Sequence, residues 1–325
     1  MASTAAIAVV GAGQLGSRHL QALMKLNFRT ALYVVEPFTE SVERTRVRMA
    51  ECGENPNIST VFIKEVEELP AALDLVIVAT GSSVRSMLTK RLLEHSQVRY
   101  LVLEKFLFQS LDEYDEIGRL LEAKGVAAYV NCPRRMFEYY HKLRDLLATE
   151  KILRCSVVGG NWGMGCNSIH FLDAFAYLTG CDDFELEDRL DPGYIESKRP
   201  GYIEFTGAVG GRFACGAELE LIGDRRGSAP PEIFIQTEKH NILLREAAGV
   251  MQIADADSRW AYREGKITLL FQSGLSNILA EQLIGTGRCE LTPFAVSADY
   301  HRKFLALCLK HLGYKLEDKK SCPIT

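Results

Sequence analysis

Lys105 is a candidate for proton transfer because it ends a predicted strand, Tyr100 to Lys105. In an open α/β sheet the carboxyl ends of the strands hold the ligands. A lysine that is partly removed from water there has a lowered pKa, and it can relay a proton or hold a substrate hydroxyl. The alternative interpretation is a surface lysine whose aliphatic stem lies along the protein.

His170 is a second candidate, in a segment with helical periodicity. Residues three and four apart share one face of a helix. The polar stripe of this helix therefore consists of Cys166, Asn167, His170 and Asp173. A histidine held by a carboxylate one turn away can accept a hydroxyl proton, and Asn167 and Asp173 are candidates for holding the substrate. The alternative is a structural pair between His170 and Asp173.

Three further side chains are candidates for substrate binding. Arg134 and Arg135 are followed by two tyrosines, and such a cluster can hold a carboxylate, a phosphate or a sugar. Trp162 lies in a glycine-rich approach to the His170 helix, where its indole can stack on a ring. The alternatives are arginines on the surface at a helix start and a tryptophan packed in the core.

A glycine turn with the pattern G-x-G-x-x-G follows the first apolar run and opens a helix. Its residues are Gly11, Ala12, Gly13, Gln14, Leu15 and Gly16. In this context the pattern predicts a dinucleotide site, with the pyrophosphate at the helix N-terminus. Glu36 ends the second predicted strand, where a carboxylate can accept the adenosine ribose hydroxyls. Because a carboxylate there repels a 2′-phosphate, NAD is favoured over NADP. A doubly wound domain without a nucleotide is the alternative.

The elements that must position these residues fall into two groups. Over residues 1–131, short apolar runs alternate with helical segments, which predicts a doubly wound parallel sheet, a Rossmann domain. Over residues 132–325, alternating strand-like runs predict a largely antiparallel open sheet in an α+β domain. Strands are expected over Tyr202 to Val209, Arg212 to Ile222 and Ile267 to Phe271, and the pair Gly210-Gly211 predicts a hairpin turn.

Composition narrows the function classes. The chain has 325 residues, 47% hydrophobic and 25% charged, which is ordinary globular usage and argues against disorder. A net charge of −4 argues against a nucleic-acid partner, and no apolar run is long enough to suggest a membrane. Nine scattered cysteines without a C-x-x-C pair predict a reducing, cytoplasmic compartment and no metal site.

In order along the chain, these motifs resemble the Gfo/Idh/MocA family, named for glucose-fructose oxidoreductase, inositol dehydrogenase and MocA. The turn and its R-H continuation span Val9 to His19, and Asp74 to Thr80 resembles the family's fourth strand. Glu104-Lys105 resembles the E-K-P strand end, and His170 to Gly180 resembles the H-x-x-D helix. A late helix is matched by Ala298 to Arg302.

The resemblance implies roles for several of these residues. Thr80 and Glu104 would contact the cofactor, and Lys105 and His170 would form the catalytic pair. The sequence departs from the family at two positions. Phe106 replaces the proline of E-K-P, and Cys166 occupies the place of the family's acid, four residues before the histidine.

The function expected from these observations is an NAD-dependent oxidoreductase. It would transfer a hydride between nicotinamide and a carbinol carbon of a sugar, cyclitol or nucleotide sugar. One alternative is a dinucleotide-binding sensor or partner subunit without catalysis, which the missing acid at Cys166 favours. Another is an NAD-dependent glycosidase that keeps its cofactor bound. A homodimer or homotetramer through the C-terminal sheet is expected.

Overall fold

A computed structural model describes residues 4–318 and 320–325. The chain divides into two compact units. Unit 1 contains the residues up to Phe108 together with Asp112–Asn131 and Leu270–Ser297, and unit 2 contains Gln109–Leu111, Cys132–Leu269 and Ala298–Thr325. Residues 270–297, which the sequence analysis assigned to the second domain, thus group with the first unit.

The elements follow one another along the chain as helices and strands. The strands are β1 (Ala5–Val10), β2 (Thr30–Val35), β3 (Ile58–Ile63), β4 (Ala72–Val78), β5 (Gln97–Leu103), β6 (Ala127–Val130), β7 (Ile152–Gly159), β8 (Phe184–Leu190), β9 (Ile195–Glu196), β10 (Ile203–Glu204), β11 (Gly207–Phe213), β12 (Glu218–Gly223), β13 (Glu232–Thr237), β14 (His240–Arg245), β15 (Val250–Asp255), β16 (Arg263–Lys266) and β17 (Thr292–Pro293). The α-helices are α1 (Gly16–Leu23), α2 (Thr39–Ala50), α3 (Ser82–His95), α4 (Leu111–Lys124), α5 (Glu138–Leu147), α6 (Met164–Thr179), α7 (Ser276–Thr286) and α8 (Phe294–His311).

Unit 1 is built on a seven-stranded sheet with the order β17-β6-β5-β4-β1-β2-β3. The six strands β1 to β6 are parallel, and β17 pairs antiparallel with β6. The central strands are apolar and fully buried, as a sheet covered by helices on both faces requires. The strand order reverses between β1 and β4, which is where such sheets bind their ligands.

Unit 2 is built on an eight-stranded sheet with the order β16-β15-β14-β13-β7-β12-β11-β8. All pairs are antiparallel except β7 with β12. The predicted combination of a Rossmann sheet and a largely antiparallel open sheet is confirmed. In the described part of the chain, no helix is long and apolar enough to cross a membrane.

Two predictions in the second half are wrong. Gly210 and Gly211 lie inside β11, and the turn to β12 comes later, with Gly216 at φ +94°. These two glycines allow close approach of β8, because a Cβ on Gly211 would lie 2.2 Å from the Glu185 carbonyl oxygen. The strand expected over residues 267–271 forms instead at Arg263–Lys266, where it pairs with β15.

Candidate functional site

The glycine turn of unit 1 separates packed from open backbone. Gly11 has a φ of +89°, and a Cβ there would lie 2.7 Å from Thr80 Cγ2. A Cβ on Gly16 would lie 1.9 Å from the carbonyl oxygen of Gly11, whereas a Cβ on Gly13 would meet nothing within 4 Å. Gly11 and Gly16 are therefore required by packing, and Gly13 leaves room for a ligand to approach the backbone.

Side chains from the second strand and α2 hold this turn in place. Glu36 is 6% exposed, and its carboxylate accepts hydrogen bonds from Ala12 N (2.8 Å) and Phe38 N (3.1 Å). Thr45 Oγ1 donates to the carbonyl oxygen of Ala12 (3.1 Å), and Arg48 donates to that of Gln14 (2.8 Å). The turn is thus fixed without the help of a ligand.

A cleft of about 450 Å³ lies beside the turn, within unit 1. Its lining includes Gly11, Gly13, Glu36, Phe38, Thr80 and Lys64. The hydroxyl of Thr80 is buried and has no hydrogen-bond partner among the described residues. Open backbone at Gly13, the start of α1 and a buried unpaired hydroxyl fit the phosphates and ribose of a dinucleotide. Gln14 and Leu15 complete the turn before α1 begins at Gly16.

Arg85 joins the two loops that follow β4 and β5. It is 1% exposed in the first turn of α3, and its guanidinium donates to the carbonyl oxygens of Thr80, Phe106 and Leu107, the last at 2.8 Å. The peptide between Lys105 and Phe106 is cis. Lys105 itself is half-buried, two residues beyond the end of β5.

Glu104 belongs to a buried polar network in unit 1. Its Oε1 accepts from Asn131 Nδ2 and lies 2.9 Å from His19 Nε2. The other ring nitrogen of His19 lies 2.8 Å from Ser276 Oγ, and Asn131 also donates to Gln272 (2.9 Å). Burial raises the pKa of Glu104, but the bonds from His19 and Asn131 and the Lys105 charge outweigh burial and lower it. This network holds the residue before Lys105 in its ionised form.

The His170 helix and its surroundings lie in unit 2. His170 is half-buried on α6, and Asp173 on the same helix is fully buried. Asp173 Oδ2 accepts a hydrogen bond from Arg135 Nε (2.9 Å), so this carboxylate forms an ion pair with an arginine that was predicted to bind substrate. Asn167 Nδ2 donates to the carbonyl oxygen of Trp162 (2.8 Å), which brings two predicted substrate residues together.

Arg134 forms a buried cluster in unit 2. Its guanidinium donates twice to Glu246, at 2.6 and 3.1 Å, and Tyr139 donates to the same carboxylate (2.7 Å). Burial alone would lower the pKa of Arg134, but the charge of Glu246 raises it above its ordinary value. Arg134 also lies over the Phe171 ring, 4.3 Å from its centroid. Its predicted contact with substrate would compete with these interactions.

Comparison with known proteins places the N-terminal part of the chain in a family. Residues 5–132 match the model of an oxidoreductase family with an NAD-binding Rossmann fold, GFO_IDH_MocA. Residues 5–132 belong to the Gfo/Idh/MocA family. The resemblance that the motifs indicated is therefore confirmed over this segment. A sequence search found no match among curated proteins.

Solved structures share the fold over nearly the whole chain. Biliverdin reductase from Synechocystis sp. PCC 6803, in complex with biliverdin and NADP+, is 12% identical with a TM-score of 0.74, covering 96% of this chain and 100% of its own. A mutant of Gal80p from Saccharomyces cerevisiae is 16% identical with a TM-score of 0.71, covering 96% and 97%. UDP-N-acetylglucosamine 3-dehydrogenase from Acidithiobacillus ferrooxidans is 14% identical with a TM-score of 0.69, covering 98% and 100%.

Within the Gfo/Idh/MocA motifs, sequence reasoning missed the residues that hold the loops. His19 lies in the R-H continuation of the turn but was given no role. Arg85 offered a signal of its own, since a cation in the first turn of a helix opposes the helix dipole and needs another reason to be there. Asn131, Thr45 and Arg48 act through contacts between distant parts of the sequence, which local patterns do not reveal.

Proposed function

We propose that the protein is an NAD-dependent oxidoreductase acting on a polyhydroxylated substrate: a sugar, a cyclitol or a nucleotide sugar. The observation that carries the proposal is the cleft of unit 1, where Gly13 presents open backbone next to the unpaired hydroxyl of Thr80. Bound there, the nicotinamide would accept or supply the hydride at a carbinol carbon. The 3-dehydrogenase among the structural neighbours acts on a nucleotide sugar and favours this substrate class.

Glu36 supports NAD over NADP. Its carboxylate lines the cleft and is held by backbone N–H groups of Ala12 and Phe38. A fixed negative charge there would repel a 2′-phosphate and accept ribose hydroxyls. Lys64 lines the same cleft and is exposed, so both cofactors belong in the binding test.

Lys105 and His170 are the proposed proton-transfer residues. Lys105 would hold or relay the proton of the substrate hydroxyl through its Nζ, and His170 would do so through its ring. Trp162 and Asn167 would contact the substrate, and Asp173 would act through its ion pair with Arg135. Glu104 would support Lys105 from the buried network rather than contact the cofactor by an exposed carboxylate.

The direct test is nicotinamide absorbance at 340 nm, a wavelength chosen for the reduced ring, with sugars, cyclitols and nucleotide sugars as substrates. Lys105→Ala should remove most of any turnover and leave NADH binding unchanged, because the cofactor site is elsewhere in the motif order. Lys124→Ala, at the end of α4, is the matched control. Unchanged turnover in Lys105→Ala would reject the role of Lys105.

A second candidate is a regulator that binds the dinucleotide without turning it over. The observation that favours it is the fold shared with Gal80p, a transcriptional regulator in Kluyveromyces lactis, together with the cysteine at position 166. Both candidates predict NAD binding, which NADH fluorescence measures. Binding without absorbance change against every substrate would favour the regulator.

The cytoplasm is the compartment that we propose. All nine cysteines are free thiols, as expected in a reducing environment. Their pairing state in the purified protein, measured by thiol titration under denaturing conditions, tests this: nine reactive thiols are expected, and a stable disulfide would contradict it.

A further inference from the structure

A small cavity lies at the start of α6, entirely within unit 2. Its volume is about 280 Å³. The residues of the lining that matter here are Trp162, Cys166, Asn167, Lys198, Arg199 and Glu204. The cavity therefore combines an aromatic ring, an amide, two cations and a carboxylate, all next to the helix that carries His170.

Glu204 reaches this cavity from β10, a different element from α6. The side chain is 7% exposed, and its Oε2 accepts a hydrogen bond from the backbone N–H of Cys166 (3.2 Å). A Cβ on Gly165 would lie 2.9 Å from Oε2, and a Cβ on Gly163 would lie 3.2 Å from Oε1. The glycines before Cys166 thus make room for a carboxylate at the positive end of the helix.

The position of this carboxylate coincides with a departure from the Gfo/Idh/MocA pattern. The resemblance places an acid at position 166, where this chain has Cys166. Glu204 contacts the backbone of that same residue. A negative charge is therefore present at this turn of α6, although the sequence motif lacks it.

The cations of the lining are placed differently from Arg134 and Arg135. Those two arginines are in buried ion pairs with Glu246 and Asp173. Lys198 and Arg199 lie in the segment between β9 and β10 and are exposed. Exposed cations beside a cavity suit a phosphate, which keeps part of its hydration when it binds.

We propose that this cavity binds the sugar of a phosphorylated or nucleotide-linked substrate, with Glu204 as the carboxylate that accepts its hydroxyl hydrogen bonds. A carboxylate has about four acceptor positions, so it can serve a helix N–H and a ligand hydroxyl together. Trp162 offers a face for the ring, and Lys198 and Arg199 hold the phosphate. The inference rests on the proposed function for its substrate class, and a binding measurement tests it separately from turnover.

The test uses Trp162 as a reporter in the full-length protein. Trp260 is the other tryptophan of the chain, so the Trp260→Phe background leaves Trp162 as the only indole. UDP-glucose, UDP-N-acetylglucosamine and the two free hexoses are titrated against its emission. We expect at least one nucleotide sugar to shift the emission. Glu204→Gln should weaken that binding about tenfold, since a charge-assisted bond becomes a neutral one.

Lys198→Ala should separate the two ends of the ligand. It should weaken nucleotide-sugar binding and leave any binding of the free hexose unchanged. Glu187→Gln, an exposed carboxylate on β8, is the matched control and should bind as the background does. Thermal unfolding of each variant shows whether the fold is retained, and Gln at position 204 keeps an acceptor for the Cys166 N–H.

Restoring the acid at position 166 gives a result that a structural role would not. Cys166→Asp alone brings two carboxylates to one turn of α6 and should weaken binding. In the Glu204→Gln background the same change should recover most of the lost affinity. Equal affinity of Glu204→Gln and the background, or no shift of Trp162 emission by any of the four probes, would overturn the inference. Glu204-dependent binding without turnover would leave it standing and reject the oxidoreductase instead.

Discussion

Gly13 and Gly16 lie in the same turn, and a Cβ at each has a different consequence. Gly13→Ala adds a Cβ that meets no protein atom, so the melting temperature should stay within about 2 °C of the parent. NADH affinity should fall at least about tenfold, because the methyl occupies the space that the pyrophosphate needs. NADH fluorescence titration and thermal unfolding measure the two effects.

Gly16→Ala is the complementary change. Its Cβ would lie 1.9 Å from the carbonyl oxygen of Gly11, so the turn must distort, at a cost of about 2–4 kcal/mol in the free energy of unfolding. Urea unfolding checks this. An unstable Gly13→Ala protein together with a normal Gly16→Ala protein would contradict the assignment of open and packed faces.

Glu104 gives the protein a dependence on acid. Its pKa in the folded protein lies below the ordinary 4.5, so the stability that it contributes is fully present above pH 4.5. That stability is lost as the pH falls through the lower folded value. In Glu104→Gln the free energy of unfolding should change less with pH over this range, whereas Glu43→Gln, on the exposed face of α2, should keep the parent slope.

Arg85 is the contact through which α3 holds two loops at once. Arg85→Lys keeps the charge but cannot reach the carbonyl oxygens of Thr80, Phe106 and Leu107 together. Buried carbonyls without donors cost about 1–3 kcal/mol each, so unfolding should require less denaturant. NADH affinity should fall as well, since Thr80 lines the cleft. Arg119→Lys, on the exposed side of α4, is the control and should change neither quantity.

The elements of unit 1 could be predicted because their signals are local. Buried parallel strands are continuous apolar runs, and the glycine turn has a fixed spacing. The strand β8 was missed, since its sequence FELEDRL carries four charged residues and only its pairing with β11 defines it. Gly210 and Gly211 were misassigned because a close approach between strands and a hairpin turn both favour glycine.

The candidate site could be predicted as a list of residue types but not as a set of contacts. Lys105 and His170 follow from motifs, whereas the pairing of Arg135 with Asp173 depends on residues 38 positions apart. Glu204 gave no signal at all, because a two-residue strand delivers it to α6. Long-range pairings of this kind leave no period in the sequence.

At the scale of the whole molecule, the outer face of the second sheet bears on self-association. Ile222 pairs with Val158, Phe234 pairs with Ser156 of the same strand, and Leu243 pairs with Phe234. Paired residues share a face, so these apolar side chains form one band across β12, β7, β13 and β14. Val158 is 49% exposed. An apolar band on a broad sheet favours a second copy of the chain as its partner.

Val158→Arg should therefore convert a dimer or tetramer into a monomer, as measured by sedimentation equilibrium. The arginine would have to be buried without a partner in a symmetric interface, where each copy brings its own charge to the same place. Its melting temperature at low protein concentration should match that of the parent, because the side chain is exposed within one chain. Met87→Arg, an equally exposed apolar position on α3, should leave the mass unchanged. A Val158→Arg protein that retains the parent mass would place the association surface elsewhere.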